Sequence, residues 1–90
     1  MLRQQYKFFL RRFLSREMGK YRAERRLTQE ELSERLCMAP RSYADLEHGT
    51  YGCSGLTVML FLLLLKEEEV LQLLRRARKV LKEAARHDAA

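Results

Sequence analysis

An all-α fold of about five helices is what this 90-residue chain predicts, and three observations carry the prediction. Apolar residues return at three- and four-residue intervals through most of the chain, the spacing of one helix face. Helix-boundary signals sit between those stretches: Thr28 and Glu31 in an S/T-x-x-E capping box, Pro40 at a first helical position, Gly49 at a helix end. The length allows one domain, 1–90, and at that size a core forms only if nearly every helix contributes to it. There is no internal repeat and no low-complexity linker.

The first helix falls within Met1 to Arg26, where Tyr6, Phe9, Leu10, Phe13, Leu14, Met18 and Tyr21 make an apolar stripe and Gly19 marks a place for a bend. Its other face is basic, nine Lys or Arg against two acids, a balance of +7. A core-covering helix with a solvated basic back is favoured over a membrane-surface helix, because apolar cover is needed elsewhere in the chain. The second helix opens at Thr28, stapled by Leu27 and Leu32, with Leu32 and Leu36 on its inner face. Cys37, Met38 and Ala39 interrupt the pattern as a turn. Pro40 starts the third helix, Tyr43 and Leu46 point inward, and Gly49 ends it as a left-handed cap. Two helices joined so tightly cross steeply, as in a helix-turn-helix at 28–49.

These residues resemble the helix-turn-helix of phage Cro and repressor proteins and the wider bacterial XRE-type regulators. The opening Leu27, Thr28 and Gln29, the spacing of Leu32 and Leu36, and the close at Leu46, Glu47 and Gly49 carry the likeness. It extends from Arg22 to Leu64, about half of the chain. A lambda-repressor-like DNA-binding domain is implied, with an extended N-terminal helix (2–13) and an added C-terminal helix (66–86). The resemblance leaves 2–13 unexplained, since the family's first helix would begin near Leu14.

Ser54 caps a fourth helix that is hydrophobic all round, with Thr57 the one polar residue from Leu56 to Leu65. In relatives this helix shows solvent one face, whereas here Val58, Met59, Leu62 and Leu65 have no evident solvent role. They call for cover by the extended first helix, the last helix or a second subunit. The last helix, Lys66 to Arg86, has Glu67, Glu68 and Glu69 at its positive end and the bases from Arg75 to Lys82 in its later half. Val70, Leu74, Ala77, Leu81 and Ala84 form its stripe, widened by Leu73 and Val80, to be packed against the first helix or against a second copy. A break after Leu65 follows from the resemblance and the change of period, one continuous helix being the alternative. Fraying is expected from His87 to Ala90.

The resemblance assigns the site. On the third helix Pro40, Arg41, Ala44, Asp45 and His48 lie opposite Tyr43 and Leu46, the face that enters the major groove in a helix-turn-helix. Arg41 is the strong base reader, fit for guanine O6 and N7. Asp45 either accepts from a cytosine N4 or orients the Arg41 guanidinium, and Pro40 and Ala44 suit thymine methyls. Gln29 is implied to present its side chain and a helix N-terminus to a phosphate, with Thr28, Ser42 and His48 as further phosphate contacts. Arg22 and Glu47 stand where relatives place a partly buried ion pair. Three features depart from the family: Cys37 occupies a turn position usually held by Gly, Ala39 is a poor cap, and the loop Thr50 to Gly55 carries no charge.

Net charge +6 and a pI near 9.7 suit a polyanionic partner. Residues 28–65 are themselves at −3, however, which favours a homodimer reading two half-sites and leaves Arg22, Arg25 or Arg26 to help attract DNA. Cys37 and Cys53, with His48 and His87, fit neither a disulfide framework nor a metal spacing, so reduced thiols in a cytoplasmic protein without cofactor are expected. The apolar run 56–65 is about half of a bilayer span, and no signal peptide is legible. No catalytic constellation is present, so no enzyme is expected. From another class, the same fold can serve as a protein-interaction or antitoxin-like module with the apolar fourth helix as partner surface.

Overall fold

In the computed structural model the backbone is described for 3–50 and 52–89, and side chains for 5–50 and 52–86. Leu2, where the N-terminal extension was expected to begin, Tyr51 in the loop after Gly49, and Ala90 lie outside these residues. Five helices follow one another: α1 (Arg3–Glu24), α2 (Gln29–Arg35), α3 (Pro40–Glu47), α4 (Gly55–Leu64) and α5 (Glu67–Ala89). Among the described residues there is no strand.

Helix α1 is the spine. It runs unbroken through Gly19, so the expected bend is replaced by a continuous helix. A Cβ on Gly19 would sit 3.5 Å from Glu47 Cγ and Cδ, so α1 passes α3 closely here. Met18 and Tyr21 of α1, Leu32 and Leu36 of α2, Tyr43 and Leu46 of α3, Phe61 of α4 and Leu73 of α5 form one buried cluster. Tyr21 and Phe61 meet edge to face, their ring centroids 5.5 Å apart, which is how α4 is keyed to α1.

The last helix packs on α1 rather than standing free. Glu17 accepts from Arg76 at 2.7 Å and Arg25 donates to Glu69 at 3.1 Å, so the two helices run antiparallel. Leu65 is extended (φ −88°, ψ 154°), which settles the break between α4 and α5. Lys66 N–H donates to Glu69 Oε1 at 2.9 Å, half of a capping box that starts α5. Two expectations are corrected. The helix begins at Glu67 rather than Lys66 and continues to Ala89, three residues past the expected end at Arg86. Within the expected stripe Leu73 and Ala84 are buried and Val70, Ala77, Val80 and Leu81 half-buried, so only Leu74, 50% exposed, departs from it.

Helix α4 is the larger surprise. Phe61 is buried, but Leu56, Met59 and Leu63 are 72%, 55% and 73% exposed, so neither α1 nor α5 covers this face. A helix apolar all round has one side inserted and the other bare.

Candidate nucleic-acid interface

The α2-turn-α3 unit is specified by local chemistry. Thr28 Oγ1 accepts the Glu31 N–H at 3.0 Å and Glu31 Oε1 accepts the Thr28 N–H at 3.0 Å, the complete capping box. Those bonds hold the Glu31 carboxyl below its ordinary value of 4.5, the Thr28 backbone bond contributing most. Ser33 donates to its own helix at Glu30 O, 2.7 Å away, which satisfies a buried hydroxyl.

Three helices end in the same device. After α1, Arg26 N–H bonds Ala23 O and Leu27 N–H bonds Arg22 O; after α2, Cys37 bonds Glu34 O and Met38 bonds Ser33 O; after α3, Gly49 bonds Leu46 O and Thr50 bonds Asp45 O. Each pair is a Schellman closure around a left-handed residue. Gly49 takes φ 81° freely, but Arg26 and Cys37 take φ 55° and 56° with a Cβ attached. Cys37 thus adopts the backbone that Gly would have made easy. Ala39 offers no side-chain cap to α3, and Pro40 at the first position removes one of the amides that would need one.

A polar hub fixes α3 against α1. Arg22 donates from Nε to Glu47 Oε2 at 2.9 Å and from Nη2 to Oε1 at 2.8 Å, a bidentate pair, and from Nη1 to Leu27 O at 3.0 Å. Tyr43 donates its hydroxyl to the same carboxylate, and Gln29 Nε2 lies 3.4 Å from it. The bond from Arg22, reinforced by those from Tyr43 and Gln29, holds the Glu47 carboxyl below its usual range, while burial pushes the Tyr43 phenol up. About two helical turns earlier on α1, Ser15 Oγ donates to Leu46 O at 2.6 Å. These contacts orient α3 and leave its opposite face outward.

On that face Pro40, Arg41 and Ser42 are exposed, Ala44 and Asp45 half-exposed, and His48 exposed. Arg41 has no ion-pair partner among the described residues, so the pairing with Asp45 is not formed. His48 turns Nδ1 onto Ala44 O at 3.0 Å, at the end of its own helix. Thr28 is exposed beside α2 with its hydroxyl oxygen engaged in the cap. Gln29, expected to point at a phosphate, leans toward Glu47 and is half-buried.

The sequence model of the family described as Helix-turn-helix matches residues 18–65, more than half of the chain. The chain belongs to that family. It is a helix-turn-helix protein of the Cro/repressor, XRE type, and so a domain of DNA-binding regulators. No curated protein and no solved structure matches it. The match leaves out the first fifteen helical residues of α1 and all of α5, the two parts that add to the helix-turn-helix core.

Of the charges expected to help attract DNA, Arg22 is committed to Glu47, and Arg25 to Glu69 and the Tyr21 ring 4.0 Å away. Arg11, Arg12 and Arg16, on the solvated basic back expected for α1, were not singled out for the site but fall beside the end of α3. The spacing held a signal, since Arg12 and Arg16 are one turn apart and flank Ser15, but only the Ser15 bond to Leu46 says what that side of the helix-turn-helix protein faces. Among the described residues no group of His, Cys, Asp or Glu could hold a metal, and no helix is long and apolar enough to cross a membrane.

Proposed function

We propose that this protein is a sequence-specific double-stranded DNA-binding transcriptional regulator, a repressor acting as a cytoplasmic homodimer, whose α3 lies in the major groove. One observation carries the reading: Arg22 grips Glu47 and so ties α3 to α1, while Arg41 projects from the opposite face with no ion-pair partner among the described residues. Arg41 reads a guanine, Pro40 and Ala44 lie against thymine methyls, and Asp45 accepts from a cytosine. Thr28, Gln29, Ser42 and His48 meet phosphates on either side. Two copies follow from charge, because one arginine on a motif at −3 binds weakly alone. Binding of duplexes by Arg41→Ala and Gln29→Ala variants tests the assignment. The first should relax preference at one base pair, and the second should weaken binding to all sequences alike. If neither changes affinity for a selected duplex, α3 is not the reading helix.

A second reading has its own observation. The bare stripe Leu56, Met59 and Leu63 suits a protein surface, and a module of this fold could work through it rather than through DNA. Sedimentation of wild type and Leu63→Lys tests whether a second copy covers that stripe. A dimer lost in the variant supports the homodimer, and a monomeric wild type contradicts it.

A further inference from the structure

The basic first half of α1 runs beside the far end of the recognition helix. Arg12 and Arg16 share a shallow pocket with Ser15, whose other wall is Glu47, His48 and Gly49 at the close of α3. Arg11 covers the loop that follows, where a Cβ on Gly52 would come within 3.2 Å of its Nε. All three arginines are exposed, and none has an ion-pair partner among the described residues. The one carboxylate in the pocket, Glu47, already accepts from Arg22 and Tyr43.

We infer that Arg11, Arg12 and Arg16 form a binding site for DNA backbone phosphates at the rim of the groove that α3 enters. The inference rests on the proposed function. With the N-terminal end of α3 leading into the groove, its C-terminal end and the loop beyond lie at the rim, where the phosphodiester chain passes. That end of a helix carries partial negative charge and repels phosphate unless cations are brought to it. The loop supplies none, since Thr50, Gly52, Cys53, Ser54 and Gly55 are uncharged. Three guanidinium groups from α1 take its place, each able to grip a phosphate through two N–H groups. The Ser15 bond to Leu46 sets their position, and Phe8 lies under Arg12 at 5.8 Å.

The test is the salt dependence of binding to a selected duplex, measured for wild type, for Arg11→Ala/Arg12→Ala/Arg16→Ala, and for the Lys triple at the same positions. A fourth protein, Arg78→Ala/Lys79→Ala/Lys82→Ala on α5, removes equal charge elsewhere. Helix content by circular dichroism verifies that each is folded. Each phosphate contact contributes about 0.9 to the slope of log affinity against log salt, so the α1 Ala triple should lose about 2 to 3 from that slope. Its base preferences should stay unchanged, and the Lys triple and the α5 triple should keep most of the slope. An equal loss in both Ala triples would make the effect one of overall charge and overturn the site. If the α1 triple keeps the slope while wild type binds its consensus, the site fails and the proposed function stands. No duplex binding by wild type overturns both. Loss of binding to phosphatidylglycerol vesicles alone, with DNA binding intact, would assign these arginines to a membrane surface and overturn the site likewise.

Discussion

Helices α2 and α3 are short, polar in sequence and fully determined, whereas α4 is nearly all apolar and only partly buried. Leu32, Leu36, Tyr43 and Leu46 of the first pair are at most 3% exposed, α2 opens on a complete capping box, and both helices close on a left-handed turn. In α4 Phe61 alone reaches that depth, and Leu56, Met59 and Leu63 stay bare. Hydrophobic content therefore does not decide which part of this molecule is best specified. Complementarity does: Glu47 has Arg22, Tyr43 and Gln29 around it, while Leu63 is left largely uncovered by the described residues.

Substitutions in the two regions should differ accordingly. Leu32→Ala leaves a cavity among α1, α2 and α3 and should cost about 2–5 kcal/mol in urea unfolding. An effect under about 1 kcal/mol would mean that this core is loosely packed. Glu47→Gln keeps the size but leaves Arg22 without its counter-charge, for an expected loss of about 2–3 kcal/mol. The acid limb of wild-type stability should carry the same signature. Because the folded Glu47 value lies below 4.5, its contribution is present above that pH and fades as pH falls through the lowered value. Glu47→Gln should flatten this limb, and an unchanged limb would show that the carboxylate is not held as described. Cys37→Gly should gain about 1 kcal/mol by relieving a left-handed β-carbon, less whatever the more flexible unfolded chain takes back. A loss there would place the turn in another conformation. Leu63→Lys should change the unfolding free energy of the dilute monomer by no more than about 0.5 kcal/mol, and a large loss would show α4 to be covered after all.

The contrast also separates what could be read from the residues from what could not. Thr28 and Glu31, Ser54 and Gly49 act within a few residues of themselves, and each was legible in its predicted role. The Arg22–Glu47 pair, twenty-five positions apart, was legible only through the family likeness. Helix α5 shows the limit. Its apolar residues span a broad arc, and the line chosen, through Leu73 and Ala84 rather than Leu74, depends on where Glu17 and Arg25 hold it against α1. The exposed side of α4 was illegible for the same reason, since a uniform apolar helix carries no mark of its buried face. In the site, residue identity pointed to Arg41, but the position of Arg11, Arg12 and Arg16 depends on the crossing of α1 over α3.

Selection of bound duplexes from a random DNA pool, for wild type and Arg41→Ala in parallel, tests the central claim that the outward face of α3 reads base edges. The account predicts a palindromic consensus whose half-sites lie about one helical turn apart, with one guanine preference lost in Arg41→Ala. Recovery of duplexes without a consensus, or of the same consensus from both proteins, would contradict it.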